Sequence, residues 1–371
     1  MPAVRGAALA LAALLLAPLA LASDGGPVAL APDGAPAEAA PLYAAHADAD
    51  GRFFTPWARA DRSFLKFVRW RLSRNPYADV DAPPPRVVPN DGAYLRSARA
   101  GDAPSLTWVG HATYVVADGA DVFLTDPHFG ERALLPRRLV PPGLPVDAIP
   151  PDAFAVVSHN HYDHLDDDTV RALPASVGWY VPLGLADWFR ERGRDDVTEL
   201  DWWQTAHRGR FAITCLPSQH WSLRLGQPAG STLWCAWLVD SGERRYFFAG
   251  DTGYFAGFAE FGRRFPGIDA ALLPAGAYAP RWFMAYQHMD PQQSVRAFAD
   301  LGARHLFAMH FGTFDLTDEP PGQGPVELRA AAREAGIDAA RVHVPAVGER
   351  IALPPALDAG APRAPAPEDA P

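Results

Sequence analysis

Cysteine is almost missing from this chain of 371 residues: only Cys215 and Cys235 occur, which excludes a scaffold stapled by several disulfides and a four-cysteine zinc module. Lysine is scarcer still, with Lys66 the only one, so arginine supplies nearly all of the 33 basic side chains. The 43 acidic residues outnumber them, giving a formal net charge of −10 at pH 7 that argues against a general nucleic-acid binder. Apolar runs of the ~20 residues needed to cross a bilayer are also lacking, since the longest, starting at Ala7, is broken by Pro18. What is present is a 49% hydrophobic, 20% charged chain able to bury a substantial core, which argues against disorder. Its 38 prolines and 31 glycines suggest a loop-rich fold rather than a helical bundle.

Residues 1–22 read as a secretory signal peptide: one early charge at Arg5, an Ala/Leu-rich run, and Ala20-Leu21-Ala22 as a small-x-small cleavage site. The expected location is therefore the periplasm or another extracytoplasmic space. Residues 23–50, poor in large apolar groups, are expected to be a disordered linker, and the Pro/Ala-rich tail 354–371 likewise. Between them, 51–353 reads as one domain without internal repeats. Strands are expected at Leu106–Val109, Thr113–Val116, Val122–Leu124, Phe154–Val157, Phe211–Leu216, Leu233–Val239, Tyr246–Phe248, Ala270–Leu273 and Leu306–Met309, and helices at Leu183–Arg192, Pro291–Leu301 and Val326–Ala335. Closely spaced early strands and later strands separated by helices predict a mixed α/β sandwich covered by helices.

The chemistry is expected at strand ends. Ser158-His159-Asn160-His161-Tyr162-Asp163-His164 follows the run Phe154–Val157 and places four metal-competent groups within six residues. Chance alone would yield such a pattern in roughly one chain per thousand. Three further strands are each followed by one ligand-type residue: His220 in Ser218-Gln219-His220-Trp221, Asp251 in Ala249-Gly250-Asp251-Thr252, and His310 in Met309-His310-Phe311-Gly312. A lone histidine or Gly-Asp at such a point is usually structural. Together with the first motif they make seven candidate ligands.

These motifs resemble the metallo-β-lactamase superfamily, and the resemblance narrows to the N-acylphosphatidylethanolamine-hydrolysing phospholipase D family. It is carried by Thr107–Thr113, Leu124–Pro127, Ser158–Leu165, Val181–Leu185, Glu199–Trp203, Pro217–Trp221, Phe247–Tyr254, Gly276–Tyr278, Pro280–Met284, Tyr286–His288 and His310–Phe314. The resemblance implies an αββα sandwich and two Zn²⁺ ions. His159, His161 and His220 would hold one, Asp163, His164 and His310 the other, and Asp251 would bridge them. It implies a phosphodiesterase that cleaves N-acylphosphatidylethanolamine or a related phospholipid to phosphatidic acid and an N-acylethanolamine, with a hydroxide shared by the two ions as nucleophile. Asp163 would help orient that nucleophile, and His288 would hold the phosphate or protonate the leaving oxygen, or else support a ligand by a hydrogen bond. His111 and Asp126 read as supports of the ligand loops.

The alternative enzyme is a dizinc lactonase or β-lactamase-type hydrolase of a cyclic ester or amide; a non-catalytic zinc protein would require a damaged site. The run His128–Arg138 departs from the longer polar and aromatic loop associated with mammalian members, which leaves acyl-chain preference open. Residues 62–74 mix apolar and basic side chains and, as a helix, would form a basic amphipathic segment suited to a lipid interface, or pack on the sandwich through Leu65, Val68 and Leu72. Cys215 and Cys235 fall on two expected strands, where either a disulfide or two buried thiols fit. No nucleic-acid partner is expected.

Overall fold

The computed structural model describes residues 37–59, 63–97 and 101–355. The signal segment and most of the Pro/Ala-rich tail lie outside them. Apolar side chains on both faces of the early strands require two cores. The first sheet gathers β1 (Ser105–Gly110), β2 (Thr113–Asp118), β3 (Asp121–Thr125), β4 (Phe154–Val156), β5 (Gly178–Pro182) and β6 (Val197–Leu200), side by side in that order. On β2, Tyr114 and Val116 enter one core while Val115 and Ala117 enter the other, as a strand's two-residue period demands.

The second sheet holds β7 (Thr205–Arg208), β8 (Phe211–Leu216), β9 (Ala236–Asp240), β10 (Arg245–Phe248), β11 (Ala270–Pro274), β12 (His305–Met309) and β13 (Val342–His343), while β14 (Arg350–Ala352) returns to pair with β1. Across each sheet three antiparallel pairings are followed by three parallel ones. The architecture therefore repeats a pairing pattern although the residues show no repeat, because pairing constrains only the backbone. Rings interlock between the sheets, with Phe123 at 5.4 Å from Tyr246 and Phe154 at 5.3 Å from Phe211.

Helices are α1 (Phe64–Leu72), α2 (Ala93–Ser97), α3 (Asp167–Ala172), α4 (Ala186–Arg190), α5 (Gly257–Arg264), α6 (Arg281–Met284), α7 (Pro291–Asp300) and α8 (Gln323–Glu334). Val170 of α3 and Phe189 of α4 cover the outer face of the first sheet. Phe258 and Phe261 of α5 pack on Phe247 of the second. The expected start of α7 is held by a capping box: Asp290 accepts from Gln293 N at 2.8 Å, and Pro291 occupies the first turn, where it forfeits no bond.

Several expectations are corrected. The linker expected through residue 50 is packed from Ala37 onward: Ala37–Tyr43 forms a 3-10 helical turn, and the Tyr43 ring stacks on Trp203 at 4.5 Å while its hydroxyl donates to Glu260 at 2.6 Å. A few well-placed aromatics anchor a segment whose average composition looks linker-like. The expected strand Leu233–Val239 begins only at Ala236, because Leu233 N donates to Leu183 O and Cys235 N to Ser158 O, away from the sheet ladder. The helix expected at Leu183–Arg192 shortens to α4. On α1, Leu65 and Leu72 point outward, and Phe67 and Trp70 are the buried residues, packed with Met284. Cys215 and Cys235 are both buried free thiols.

Candidate metal centre

All seven expected ligands converge at one edge of the sandwich, where strands end. The loop after β4 supplies His159, His161, Asp163 and His164; β8, β10 and β12 run into His220, Asp251 and His310. His159 Nε2 lies 2.8 Å from His161 Nδ1, which lies 3.2 Å from His220 Nε2. A second group pairs His310 Nε2 with His164 Nε2 at 3.2 Å, and Asp163 Oδ2 is 3.6 Å from each. Asp251 stands between the groups: Oδ2 is 3.7 Å from His220, 3.9 Å from His159 and 3.1 Å from His164, while Oδ1 is 3.0 Å from His310.

Hydrogen bonds behind the site fix which ring nitrogen faces inward. His220 Nδ1 donates to Gln287 O at 3.0 Å, and His164 Nδ1 donates to Asp126 Oδ2 at 2.6 Å, so both present Nε2 to the centre. Asp126 also accepts from Ser158 N at 2.6 Å and from Ser158 Oγ at 2.5 Å, and Ser158 Oγ is 2.9 Å from His159 Nδ1. His111 Nε2 reaches Asp163 Oδ2 at 3.0 Å. Asp126 and His111 thus support the ligand loops as expected, although His111 also falls within reach of the second donor group.

Close backbone packing brings these tips together. His111, Asp126 and His310 adopt φ values of 51°, 33° and 61°, a left-handed region costing about 1–3 kcal/mol each for a residue with a side chain, and one often found at functional sites. Gly250 (φ 55°) sits so near Ser158 that an added Cβ would lie 2.5 Å from the serine Cβ. Gln219, quoted in the sequence motif without a role, joins three loops. Its N–H donates to Thr252 Oγ1 at 2.9 Å, its side-chain amide to Tyr286 O at 2.8 Å, and its Oε1 accepts from Trp57 Nε1 at 3.1 Å. Arg224, likewise missed, is buried behind the first loop, where Nη1 donates to Asn160 O and Leu165 O at 2.9 Å and the guanidinium covers the Tyr162 ring at 4.1 Å. Its sequence context gave no signal, because its partners are carbonyls 59 and 64 residues away.

Burial by itself would raise both carboxyls, but surrounding imidazoles, His164 foremost, hold Asp163 and Asp251 well below the usual range. Burial would lower His164 and His310 in turn, yet the carboxylates, Asp251 first, raise them, His310 to about 9. His159 and His220 are driven down by burial. Two buried carboxylates at one point demand positive charge beside them.

Above this floor opens a cavity of about 160 Å³ with mostly apolar walls: Phe67 and Trp70 of α1, Phe283 and Met284 of α6, Trp221, and Leu134 of the loop whose sequence departs from the mammalian pattern. His288 also borders it, with Nδ1 3.8 Å from Asp251 Oδ2, and burial pushes its imidazole down to about 4. Sequence reading missed the cavity walls, which come from segments more than 200 residues apart.

Residues 122–311 match the family described as Beta-lactamase superfamily domain, a stretch that contains all seven residues. N-acyl-phosphatidylethanolamine-hydrolyzing phospholipase D 1 of Caenorhabditis elegans is 38% identical over 228 residues, covering 57% of this chain and 64% of the nematode protein. The chain thus spans less than two thirds of that relative's length. An uncharacterized protein of Mycobacterium tuberculosis is 36% identical over 306 residues, 78% of this chain and 79% of its own. Among solved structures, the isothiocyanate hydrolase from Delia radicum gut bacteria superposes with a TM-score of 0.54 at 23% identity, covering 67% of this chain and 99% of that one, which shows the fold alone.

Proposed function

Because the chain belongs to the beta-lactamase superfamily, we propose that it is a metal-dependent hydrolase of phospholipase D type, holding two zinc ions and cleaving N-acylphosphatidylethanolamine or a related phospholipid to phosphatidic acid and an N-acylethanolamine. The observation that carries this reading is an apolar-walled cavity whose floor is a paired histidine and carboxylate centre.

The donor set fits a pair of ions. Ligand atoms around a tetrahedral zinc with bonds of ~2.0–2.1 Å stand about 3.3 Å apart, and those here lie 2.8–3.9 Å apart within and between the groups. In this reading His159, His161 and His220 hold one ion, Asp163, His164 and His310 the other, and Asp251 serves both. Bound zinc supplies Lewis-acid activation of water and neutralises charge on phosphoryl oxygens. The chain's own residues do the rest. Asp126 and Gln287 O fix the imidazole tautomers, and Asp163, bonded to His111, orients the attacking water. His288, at the cavity edge beside Asp251 and kept neutral by burial, holds a phosphoryl oxygen through a ring N–H. The walls exclude water and receive the acyl part of the lipid. Export is part of the proposal, resting on residues 1–22, and amino-terminal sequencing of the secreted protein tests it.

The decisive experiment is mass spectrometry of products from zinc-loaded protein and N-acylphosphatidylethanolamine in oxygen-18 water. Labelled phosphatidic acid with unlabelled N-acylethanolamine, abolished by a chelator, is expected. Diacylglycerol or lysophospholipid would replace the proposed cut with another, and unreacted lipid with a hydrolysed lactone would replace the substrate class.

A further inference from the structure

The helix that walls the cavity has a second, outward face. α1 and its flanks, residues 63–74, carry Lys66, Arg69, Arg71 and Arg74 and no acidic residue, in a chain whose net charge is −10. Phe67 and Trp70 turn inward to the cavity, whereas Leu65 and Leu72, seven apart and hence on one face, are 77% and 82% exposed. Arg69 lies between them along that face, its guanidinium 4.7 Å above the ring of Trp282, itself 42% exposed on neighbouring α6. Burial raises the carboxyls of Asp315 and Asp318 above their usual range, and the nearby Arg71 guanidinium offsets this only in part. Two exposed leucines and a tryptophan among arginines are costly to leave in water and poorly explained by packing.

From this juxtaposition we infer that α1 and Trp282 form a docking surface for an anionic phospholipid bilayer. The apolar side chains enter the interface, the arginines meet the headgroups, and the cavity beneath the same helix faces the lipid. Charge complementarity selects the occupant: a basic, apolar strip on an acidic protein matches a negatively charged apolar layer. Continuity supports it, because Phe67 and Trp70 wall the cavity from the opposite side of one nine-residue helix. No helix among the described residues is long and apolar enough to cross a membrane, and the docking inferred lies at the surface. The inference deepens the proposed lipid hydrolysis and rests on it for its purpose, but binding is measured separately.

The test is co-sedimentation of the full exported chain with vesicles of phosphatidylcholine alone or mixed equally with phosphatidylglycerol. Wild type should partition at least about tenfold more strongly onto the mixed vesicles, with the difference fading in high salt. The double variant Leu65→Glu with Leu72→Glu should lose that binding while melting at the same temperature, since both positions are exposed. It should still hydrolyse lipid in detergent micelles at the wild-type rate, with hydrolysis in vesicles reduced. Equal binding of wild type to both vesicles, or full binding by the double variant, overturns the inference. So does light scattering that shows these leucines buried between two copies of the chain. Vesicle binding without hydrolysis of any phospholipid would leave the docking surface standing and remove the proposed activity instead.

Discussion

His288 is the residue on which the chemistry turns, because it borders the cavity without belonging to either donor group that the resemblance assigns. If it touches the substrate, His288→Ala should lower kcat by about 10²-fold or more while metal content stays at the wild-type level. Metal analysis beside steady-state rates checks this, and a loss of metal in step with activity would assign His288 to ligand support. Far from the centre, His343 stacks on Phe307 at 4.5 Å and lies 3.1 Å from His305, and burial together with His305 pushes it down from 6.5 to about 4. An unfolded chain takes up that proton near pH 6.5 and the folded one only near 4, so stability should hold above about 6.5 and fall as pH drops toward 4. Urea midpoints across that window should fall less steeply in His343→Gln. The seven ligand-type residues were legible in the sequence because each follows an apolar run that ends at one edge of a sheet. Arg224 and Gln219 were not, since their partners are backbone groups and distant loops.

Among elements, residues 37–50 are the part whose behaviour the composition misjudged, and they lead straight into the segment 51–59. It reaches the centre through Trp57 on Gln219 and Thr55, whose Oγ1 accepts from Tyr286 Oη at 2.9 Å. Trp57→Phe keeps the ring stacked on Phe255, now at 4.9 Å, but removes the N–H that holds Gln219. We expect it to weaken metal affinity by about tenfold, in line with other lost supporting bonds, which competition with a chromogenic chelator would reveal. Gly250→Ala tests the convergence of strand ends. Its methyl would collide with Ser158 at a backbone angle unfavourable to alanine, costing about 1–3 kcal/mol, to be read from thermal melts with metal content alongside. Most core strands were visible as β-branched and aromatic runs. Short edge strands such as β7, with the sequence Thr-Ala-His-Arg, were not, because an edge strand exposed on one side needs no apolar pattern.

For the whole molecule, metal and fold are linked. A site with donors from β4, β8, β10 and β12 exists only when both sheets are assembled, so a metal ion held there would bind the folded chain alone and would stabilise it by about 2.7 kcal/mol at a hundredfold excess over Kd. Chelation should therefore lower the melting temperature by about 5 °C or more for a domain of this size, and zinc should restore it. An unchanged melt after verified metal removal would mean that the centre contributes nothing to stability.

The sequence by itself determined the class of fold, the seven ligand-type residues and the basic helix, because these are written in local patterns: apolar runs, the spacing His-x-His-x-Asp-His, and charge along one helix. Tertiary structure alone decided which side of that helix is buried, that residues 37–50 pack rather than wander, and that Phe67, Leu134, Trp221 and Met284 share one cavity. Those outcomes depend on contacts between segments more than 200 residues apart, such as Tyr43 with Glu260 and Phe67 with Met284, which no local pattern records, and on left-handed turns at His111, Asp126 and His310 that only the assembled sheets hold in place.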